Sequence, residues 1–233
     1  MSFEMEDLSF SYLSRPCFGH RIVKTFEIVD PLSLAYVVGV LHGDGCAAIR
    51  SENHYSIDLQ TKDVDFAESF AEHLSRVLKQ TVQVKPLERK TTKGDFKGYE
   101  VCKGHKGFYL WYKCHEIDAI SIVESLGMEA VAMFLKGFAD SEGSPSKCIS
   151  ALRIYNKNTA LLETVQRLLY RYFRITSVLL NYPKHTCPFL CIYRVDNFAR
   201  FSQNIGFSIK RKNDRLEVLA SKQKRRGYDY DKN

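Results

Sequence analysis

One nine-residue pattern occurs twice in the chain and constrains its fold more than any other feature of the sequence. The copies span residues 37–45 and 135–143. Each is an apolar segment with glycine at its third position, and each ends in an acid followed directly by glycine. Such a segment predicts a helix that ends near the last glycine, since a left-handed residue commonly follows the last helical turn. Asp44 and Glu142 are therefore predicted to lie at the carboxyl ends of two helices.

Both acids would occupy the helix end that disfavours negative charge. The helix dipole already places partial negative charge at its carboxyl end, so a carboxylate there is repelled. One such acid has no special meaning, whereas two in matching contexts indicate a site that concentrates negative charge. We expect that site to bind a cation.

The repeat continues downstream of each motif. Residues 57–63 align without a gap on residues 152–158, which pairs Lys62 with Lys157 and places Asp63 and Asn158 as helix N-caps. Each half then has the order motif helix, strand hairpin, helix, second hairpin, helix. The later strands are predicted at 81–85, 99–103, 177–182 and 188–194, and the later helices at 108–115 and from an Asp196 cap to about 205. The chain is thus predicted to be an α+β protein of two pseudo-symmetric αββαββα halves.

These halves define the predicted domain organisation. Residues 1–30 form an N-terminal extension, 31–126 the first half, 127–207 the second half and 208–233 a basic tail. Alternation along the strand after the first motif predicts one buried and one polar sheet face, which suits antiparallel hairpins covered by helices on one side. The polar face carries His54, Ser56, Asp58, Gln60 and Lys62.

This order resembles the LAGLIDADG homing endonucleases, specifically the single-chain kind with two motifs. The second motif and the following residues 153–163 are similar to archaeal intron-encoded members. The resemblance covers residues 31–207 and implies antiparallel saddle-shaped sheets on DNA, with the motif helices packed at the centre. The first copy departs at His42, where the family carries an aspartate. That position caps or packs the helix end, so the departure does not affect the metal-binding acid Asp44.

Glycines inside the two motif helices support their packing side by side. Gly39 and Gly137 each cost about 1 kcal/mol relative to alanine in a helix, and a close approach of two backbones compensates for this cost. Asp44 and Glu142 would then emerge together and share two or more divalent ions. The resemblance implies the carbonyls of Gly43 and Ser141 as further ligands, and such oxygen donors suit Mg²⁺.

Paired metal ions held by opposed carboxylates fit phosphodiester hydrolysis. The resemblance implies that each acid serves one DNA strand across the minor groove. Basic or polar side chains near the acids would organise the attacking water, and the candidates are Lys62, Lys157 and Gln60. Lys103 and Arg194, at the ends of the fourth strands, are further candidates for this role. For each basic residue, a phosphate contact is the alternative.

The polar sheet faces are predicted to read DNA in the major groove, where each base pair presents a distinct hydrogen-bonding edge. Two sheets would span about two turns of duplex, at roughly 10 base pairs per turn. For each reader, an ordinary exposed strand residue is the alternative. The candidate DNA-binding residues are Arg50, Ser56, Asp58, Gln83, Lys85 and Lys103 in the first half, and Arg153, Tyr155, Asn181, Tyr182 and Arg194 in the second.

Charge and composition bound the remaining possibilities. Of the formal net charge of +7, the tail 208–233 contributes +5, so the tail either contacts phosphates or is a solvated, partly disordered end. No apolar run is long enough for a membrane span, and the acidic start is unlike a signal peptide. We expect a soluble, intracellular monomer without membrane contact, cytoplasmic in a prokaryote or archaeon, with an organelle as the alternative.

The predicted function is that of a homing endonuclease, which makes a metal-dependent double-strand break in a long DNA target. The alternative is an RNA maturase that binds intron RNA on the same scaffold and assists splicing. Retention of both acids favours the nuclease, and a transcriptional regulator on this scaffold would be expected to lose them. We do not expect an intein, since the flanking residues show no nucleophile block.

Overall fold

The structure is a computed structural model that describes residues 8–14, 22–51, 54–92, 94–146, 150–181 and 187–221. The chain forms two compact units, Met1–Glu142 and Gly143–Asn233. The elements of the first unit are β1 (Ser9–Ser14), β2 (Ile22–Glu27), α1 (Pro31–Leu41), β3 (Cys46–Ile49), β4 (Tyr55–Thr61), α2 (Val64–Leu78), β5 (Val84–Thr91), β6 (Gly94–Gly104), α3 (Lys106–His115), α4 (Ala119–Ser125) and α5 (Met128–Glu142). Those of the second are β7 (Gly143–Pro145), β8 (Leu152–Tyr155), α6 (Thr159–Phe173), β9 (Ser177–Leu180), β10 (Phe189–Ile192), α7 (Val195–Asn204) and α8 (Lys210–Ser221).

The first unit contains an antiparallel sheet of strand order β3-β4-β6-β5. One face of this sheet carries Ile57, Leu59 and Val101, all fully or almost fully buried. Helices α2 and α3 pack on the strands, and α2 buries Phe66 and Phe70 on one side. The predicted apolar face of this sheet is therefore confirmed as a core face.

The second unit repeats the same topology with the strand order β7-β8-β10-β9. Helix α6 packs on β9 and β10 and buries Leu161, Val165 and Leu169. The side chain of Asn158 caps α6 by accepting from the Leu161 amide, whereas Asp63 occupies the N-cap position of α2 without a side-chain cap bond. The shared strand order confirms the α+β fold class and the internal repeat.

Several local predictions were wrong in detail. Among the described residues, left-handed glycines occur at Gly94, Gly127 and Gly206, and not at the ends of the two motifs. Gly45 is needed for another reason, since a Cβ there would lie 2.9 Å from the Val40 carbonyl oxygen. Asp196 does not cap α7, because Arg194 is the N-cap residue and Asp196 lies in the first turn.

Three elements were not predicted from the sequence. The hairpin of β1 and β2 packs on α3, and the short helix α4 precedes the second motif helix. The described part of the basic tail forms α8, which buries Leu216 and Leu219 and packs on α7, so the solvated interpretation does not hold there. Residues 222–233 of the tail lie outside the described residues.

In the described part of the chain, the helices are too short or too polar to cross a membrane.

A polar cluster lies at the start of α1. The Asp30 carboxylate caps the helix by accepting from the Ser33 amide at 2.9 Å, and it also accepts from Ser33 Oγ at 2.8 Å. His73 Nδ1 lies 3.0 Å from the same hydroxyl, and its ring packs 4.3 Å from the ring of Tyr36. Burial lowers the pKa of His73 to about 4, from an ordinary value of 6.5.

This shift predicts an acid-sensitive fold. Below the ordinary pKa the unfolded chain binds a proton at His73 that the folded chain does not bind until pH is about 4. The free energy of unfolding is therefore undiminished by His73 above pH 6.5, and it decreases as the pH falls toward 4. Because the side chain is partly exposed, we expect a loss of ~2 kcal/mol rather than the full linkage value. His73→Gln lacks the titration, so the difference in unfolding free energy between wild type and variant should shrink by this amount between pH 7 and pH 4. A constant difference would contradict the assignment.

Candidate functional site

The two motif helices touch through their glycines. A Cβ at Gly39 would lie 2.2 Å from the carbonyl oxygen of Phe134 and 2.9 Å from the amide nitrogen of Phe138. A Cβ at Gly137 would lie 2.3 Å from the carbonyl oxygen of Tyr36. These distances leave no room for a methyl group on either helix. The predicted close approach of α1 and α5 is confirmed.

The residues at the sixth position of the motifs, His42 and Asp140, make hydrogen bonds within the helix pair. His42 is the C-cap residue of α1, its Nδ1 lies 2.9 Å from the Val38 carbonyl oxygen, and burial lowers its pKa. Its equivalent Asp140 is buried and accepts a hydrogen bond of 2.8 Å from the Tyr36 hydroxyl. The sequence missed this bond, although a tyrosine on an otherwise apolar helix was a signal for a buried polar partner.

The ends of the two motif helices meet at Gly43. A Cβ at Gly43 would lie 2.4 Å from Ser141 Cβ and 3.4 Å from Glu142 Cγ. Glu142 is the last residue of α5 and is half-buried, while Asp44 is exposed in the turn that follows α1. Glycine at position 43 is therefore required, because any side chain there would displace the end of α5. This placement agrees with the prediction from the repeat.

The donor chemistry at this point fits a hard divalent cation. The carboxylates of Asp44 and Glu142 and the neighbouring carbonyls supply oxygen only, which is the ligand type that Mg²⁺ and Ca²⁺ prefer. Within the described ranges, no group of three or more His, Cys, Asp or Glu side chains is arranged to hold a metal. Carbonyl oxygens and water would therefore have to complete the coordination.

The candidate helper residues lie at equivalent places in the two units. Lys62 directly follows β4 and Lys157 lies two residues beyond the end of β8, and both side chains are exposed. The Lys62 ammonium lies 6.0 Å from the ring centroid of Phe96. Gln60 donates to Glu100 at 2.8 Å, so a neighbouring strand fixes this amide. The exposed positions of both lysines suit contact with an anionic ligand.

The outward face of the first sheet is only partly as predicted. Arg50, Gln83 and Lys85 are exposed, but Ser56 and Asp58 are 0% and 4% exposed. Both lie beneath Arg50, whose guanidinium donates to Ser56 Oγ and to Asp58 Oδ2. Their predicted direct access to DNA is therefore wrong, because an arginine covers them.

Lys103 also lies elsewhere than predicted. The strand register pairs Lys103 with Ile57, so its side chain starts on the helix-covered face of the sheet. Its Nζ donates to the Thr81 carbonyl oxygen at 3.1 Å. The sequence could not show this, because the side-chain direction depends on the register between β4 and β6.

The outward face of the second sheet is more apolar than predicted. It contains a buried cluster of Ala151, Phe189 and Cys191, with Tyr155 packed against it. Arg153 lies over this cluster, with its guanidinium carbon 5.2 Å from the centroid of Phe189 and its Nη1 3.3 Å from the Tyr155 hydroxyl. The remaining candidates of this half are Asn181 and Arg194, which are exposed, and Tyr182, which lies outside the described residues.

Comparison with known proteins agrees with this fold. Residues 129–206 match the LAGLIDADG-like domain. The chain is 30% identical over 141 residues to homing endonuclease I-DmoI of Desulfurococcus mucosus. This match covers 58% of this chain and 68% of that protein. It is 38% identical over 114 residues to uncharacterized protein MJ0314 of Methanocaldococcus jannaschii, a match that covers 48% of this chain and 41% of that relative. The chain thus spans about two fifths of the length of MJ0314.

Solved structures show the same fold. I-DmoI in complex with DNA and Ca has a TM-score of 0.59 at 19% identity, with coverage of 81% of this chain and 98% of that one. Full-length DUF199/WhiA from Thermatoga maritima has a TM-score of 0.57 at 14% identity, with coverage of 81% and 59%. The fold and the paired motifs define a two-motif protein in a single chain. The protein belongs to the LAGLIDADG homing endonuclease family.

The contact between the motif helices predicts a large effect of one methyl group. We expect Gly137→Ala to lower the free energy of unfolding by about 3 kcal/mol, because the added Cβ meets backbone that cannot rotate away. This loss exceeds the ~1 kcal/mol that alanine gains in a helix. A matched control is Gly104→Ala, where the Cβ would lie at an ordinary 3.6 Å from the Tyr55 carbonyl oxygen. Equal stability of the two variants in denaturant titrations would refute the close approach.

Proposed function

We propose that this protein is a site-specific DNA endonuclease that makes a double-strand break by metal-dependent hydrolysis. The observation that carries the proposal is the approach of Gly43 to Ser141 and Glu142, which brings the two acid-bearing motif ends together. A scaffold that only binds nucleic acid has no need to gather two carboxylates, since they repel phosphate. The relative I-DmoI forms complexes with DNA and Mn or Ca, which supports the same ligands here.

The residues that would hold the metal are the carboxylates of Asp44 and Glu142, with the carbonyl oxygens of Gly43 and Ser141. We propose Mg²⁺, with two or more ions shared between the acids. When bound, the ions supply a water of lowered pKa and stabilise charge on the phosphate and the leaving oxygen. The role of the two carboxylates would be to hold these ions at the two motif ends.

Lys62 and Lys157 are proposed to bind the scissile phosphates or to orient the attacking water beside them. Gln60 has a fixed position through its bond to Glu100, so it would act by accepting or donating a hydrogen bond at a fixed place. The outward faces of the two sheets would bind about two turns of duplex. Both motifs lie in one chain, which favours a monomer, and we propose that it acts in the cytoplasm of an archaeon or other prokaryote.

Neutral variants of the two acids test this mechanism. Asp44→Asn and Glu142→Gln keep the side-chain shape but remove charge next to phosphate. We expect DNA binding, measured in Ca²⁺, to be unchanged or tighter, while double-strand cleavage in Mg²⁺ falls by several orders of magnitude. The substrate is first obtained by selection from a library of randomised duplexes. Glu72→Gln is the matched control, because it removes a carboxylate from an exposed ion pair with Arg76 on α2.

The same variants separate the nuclease from an RNA maturase. A maturase that uses the scaffold only to bind intron RNA would keep its splicing activity after both acids are neutralised. Retained double-strand cleavage by the variant with both substitutions would disprove the nuclease mechanism.

A second pair of variants separates phosphate contact from base reading. We expect Lys157→Ala, at an exposed position after β8, to weaken binding to all sequences alike and to reduce the salt slope by about 1. Arg153→Ala should instead relax the preference at one or two base pairs, by about 1 to 3 kcal/mol. Both are measured as affinities for single-base variants of the selected duplex at several salt concentrations. Normal binding with slow cleavage by Lys157→Ala would assign the lysine to the chemical step instead.

A further inference from the structure

The outward face of the first sheet carries an arginine held from below by buried acceptors. Arg50 Nε donates to Ser56 Oγ at 3.3 Å and to Asp58 Oδ2 at 3.1 Å. Arg50 Nη2 donates to the same carboxylate oxygen at 2.5 Å, and Ser56 Oγ donates to it at 2.9 Å. One oxygen therefore accepts from three donors, which fixes the plane of the guanidinium.

Burial is very unequal within this group. The side chain of Arg50 is 56% exposed, while that of Asp58 is 6% exposed. A carboxylate in such a place cannot reach a ligand in solution, whereas more than half of the Arg50 side chain can. Asp58 and Ser56 thus act on the outside only through Arg50.

Two cysteines flank Asp58 in the sheet. Cys46 and Cys102 are its partners in the register of the two adjacent strands, so both thiols start on the same face. Burial, together with the nearby Asp58 carboxylate, raises the pKa of the Cys102 thiol to about 11. That thiol is neutral at pH 7 and does not compete for the guanidinium.

The geometry favours a ligand with two adjacent acceptors. A guanidinium has five N–H donors, and Arg50 uses its Nε and Nη2 toward Ser56 and Asp58. In the major groove, O6 and N7 of guanine form a pair of acceptors that matches arginine, and this is the commonest specific base contact. An arginine whose rotamer is already fixed loses less conformational entropy on binding a ligand that fits its plane. A ligand that does not fit gains nothing from this, unless the guanidinium first breaks its bonds to Asp58.

We infer that Asp58 and Ser56 are positioning residues that preorganise Arg50 to read one guanine in the target duplex, an inference that rests on the proposed function. The two buried residues then determine specificity without touching DNA. A contact of Arg50 with a phosphate is the competing outcome, because it would affect every sequence alike.

The test selects binding sites from a library of randomised duplexes in Ca²⁺, with wild type and variants treated in parallel. Wild type should enrich a site that contains an invariant guanine. Arg50→Ala combined with Asp58→Asn, which leaves no unpaired buried charge, should lose about 5- to 150-fold discrimination at that one position. Asp58→Asn alone should lose about 5-fold or more at the same position, and Ser56→Ala a smaller factor. Glu72→Gln, with an arginine pair on α2, should match wild type.

The results separate this inference from the proposed function. If wild type enriches a site but Asp58→Asn keeps full discrimination at every position, the positioning role is wrong and the nuclease proposal stands. Uniform weakening over all positions would make Arg50 a phosphate contact and would equally overturn the inference. If wild type enriches no sequence, the proposed site-specific function itself fails.

Discussion

The rest of the site depends on the direct contact between the backbones of α1 and α5. Gly39 and Gly137 lie where each helix meets a carbonyl of the other, so the two backbones touch without room for a side chain between them. A helix rises only 1.5 Å per residue, so the carboxyl ends of α1 and α5, which follow a few residues after these glycines, are also close together. Gly43 then meets Ser141 and Glu142 as a direct consequence.

The two motif ends are alike in topology but differ in their polar interactions. On α5, Asp140 is buried and receives the hydroxyl of Tyr36 from the partner helix. On α1, His42 bonds to the backbone of its own helix and packs its ring near Tyr112 and Phe134. A neutral imidazole is the less costly choice here, since burial already lowers its pKa. The departure at position 42 therefore keeps the helix end capped without adding a second buried carboxylate.

Sequence reasoning succeeded where the evidence was periodic or repeated. The doubled motif, its glycines and the acids that follow them were sufficient to predict the helix contact and the meeting of residues 43, 141 and 142. It failed where side-chain accessibility depends on a neighbour that folds back. Ser56 and Asp58 alternate with the core residues of β4, as the sequence predicts for the outward face. Arg50 nevertheless covers them by a hydrogen bond that the sequence pattern does not reveal. Lys103 was misplaced because only the register of β6 decides its face.

The covalent chain also connects each acid directly to the first strand of a sheet. Asp44 is followed after one glycine by β3, which starts at Cys46, and Glu142 is followed directly by β7, which starts at Gly143. One residue of extended chain spans at most about 3.6 Å, so each acid lies within a few ångströms of the first strand of its own sheet. On the proposed function, the position of each cut relative to the bases that are read is then determined by backbone geometry rather than by a flexible linker. On that function, a change in the sheet face would alter the target sequence while the acids keep their spacing, since the contact between α1 and α5 is separate from the sheet face.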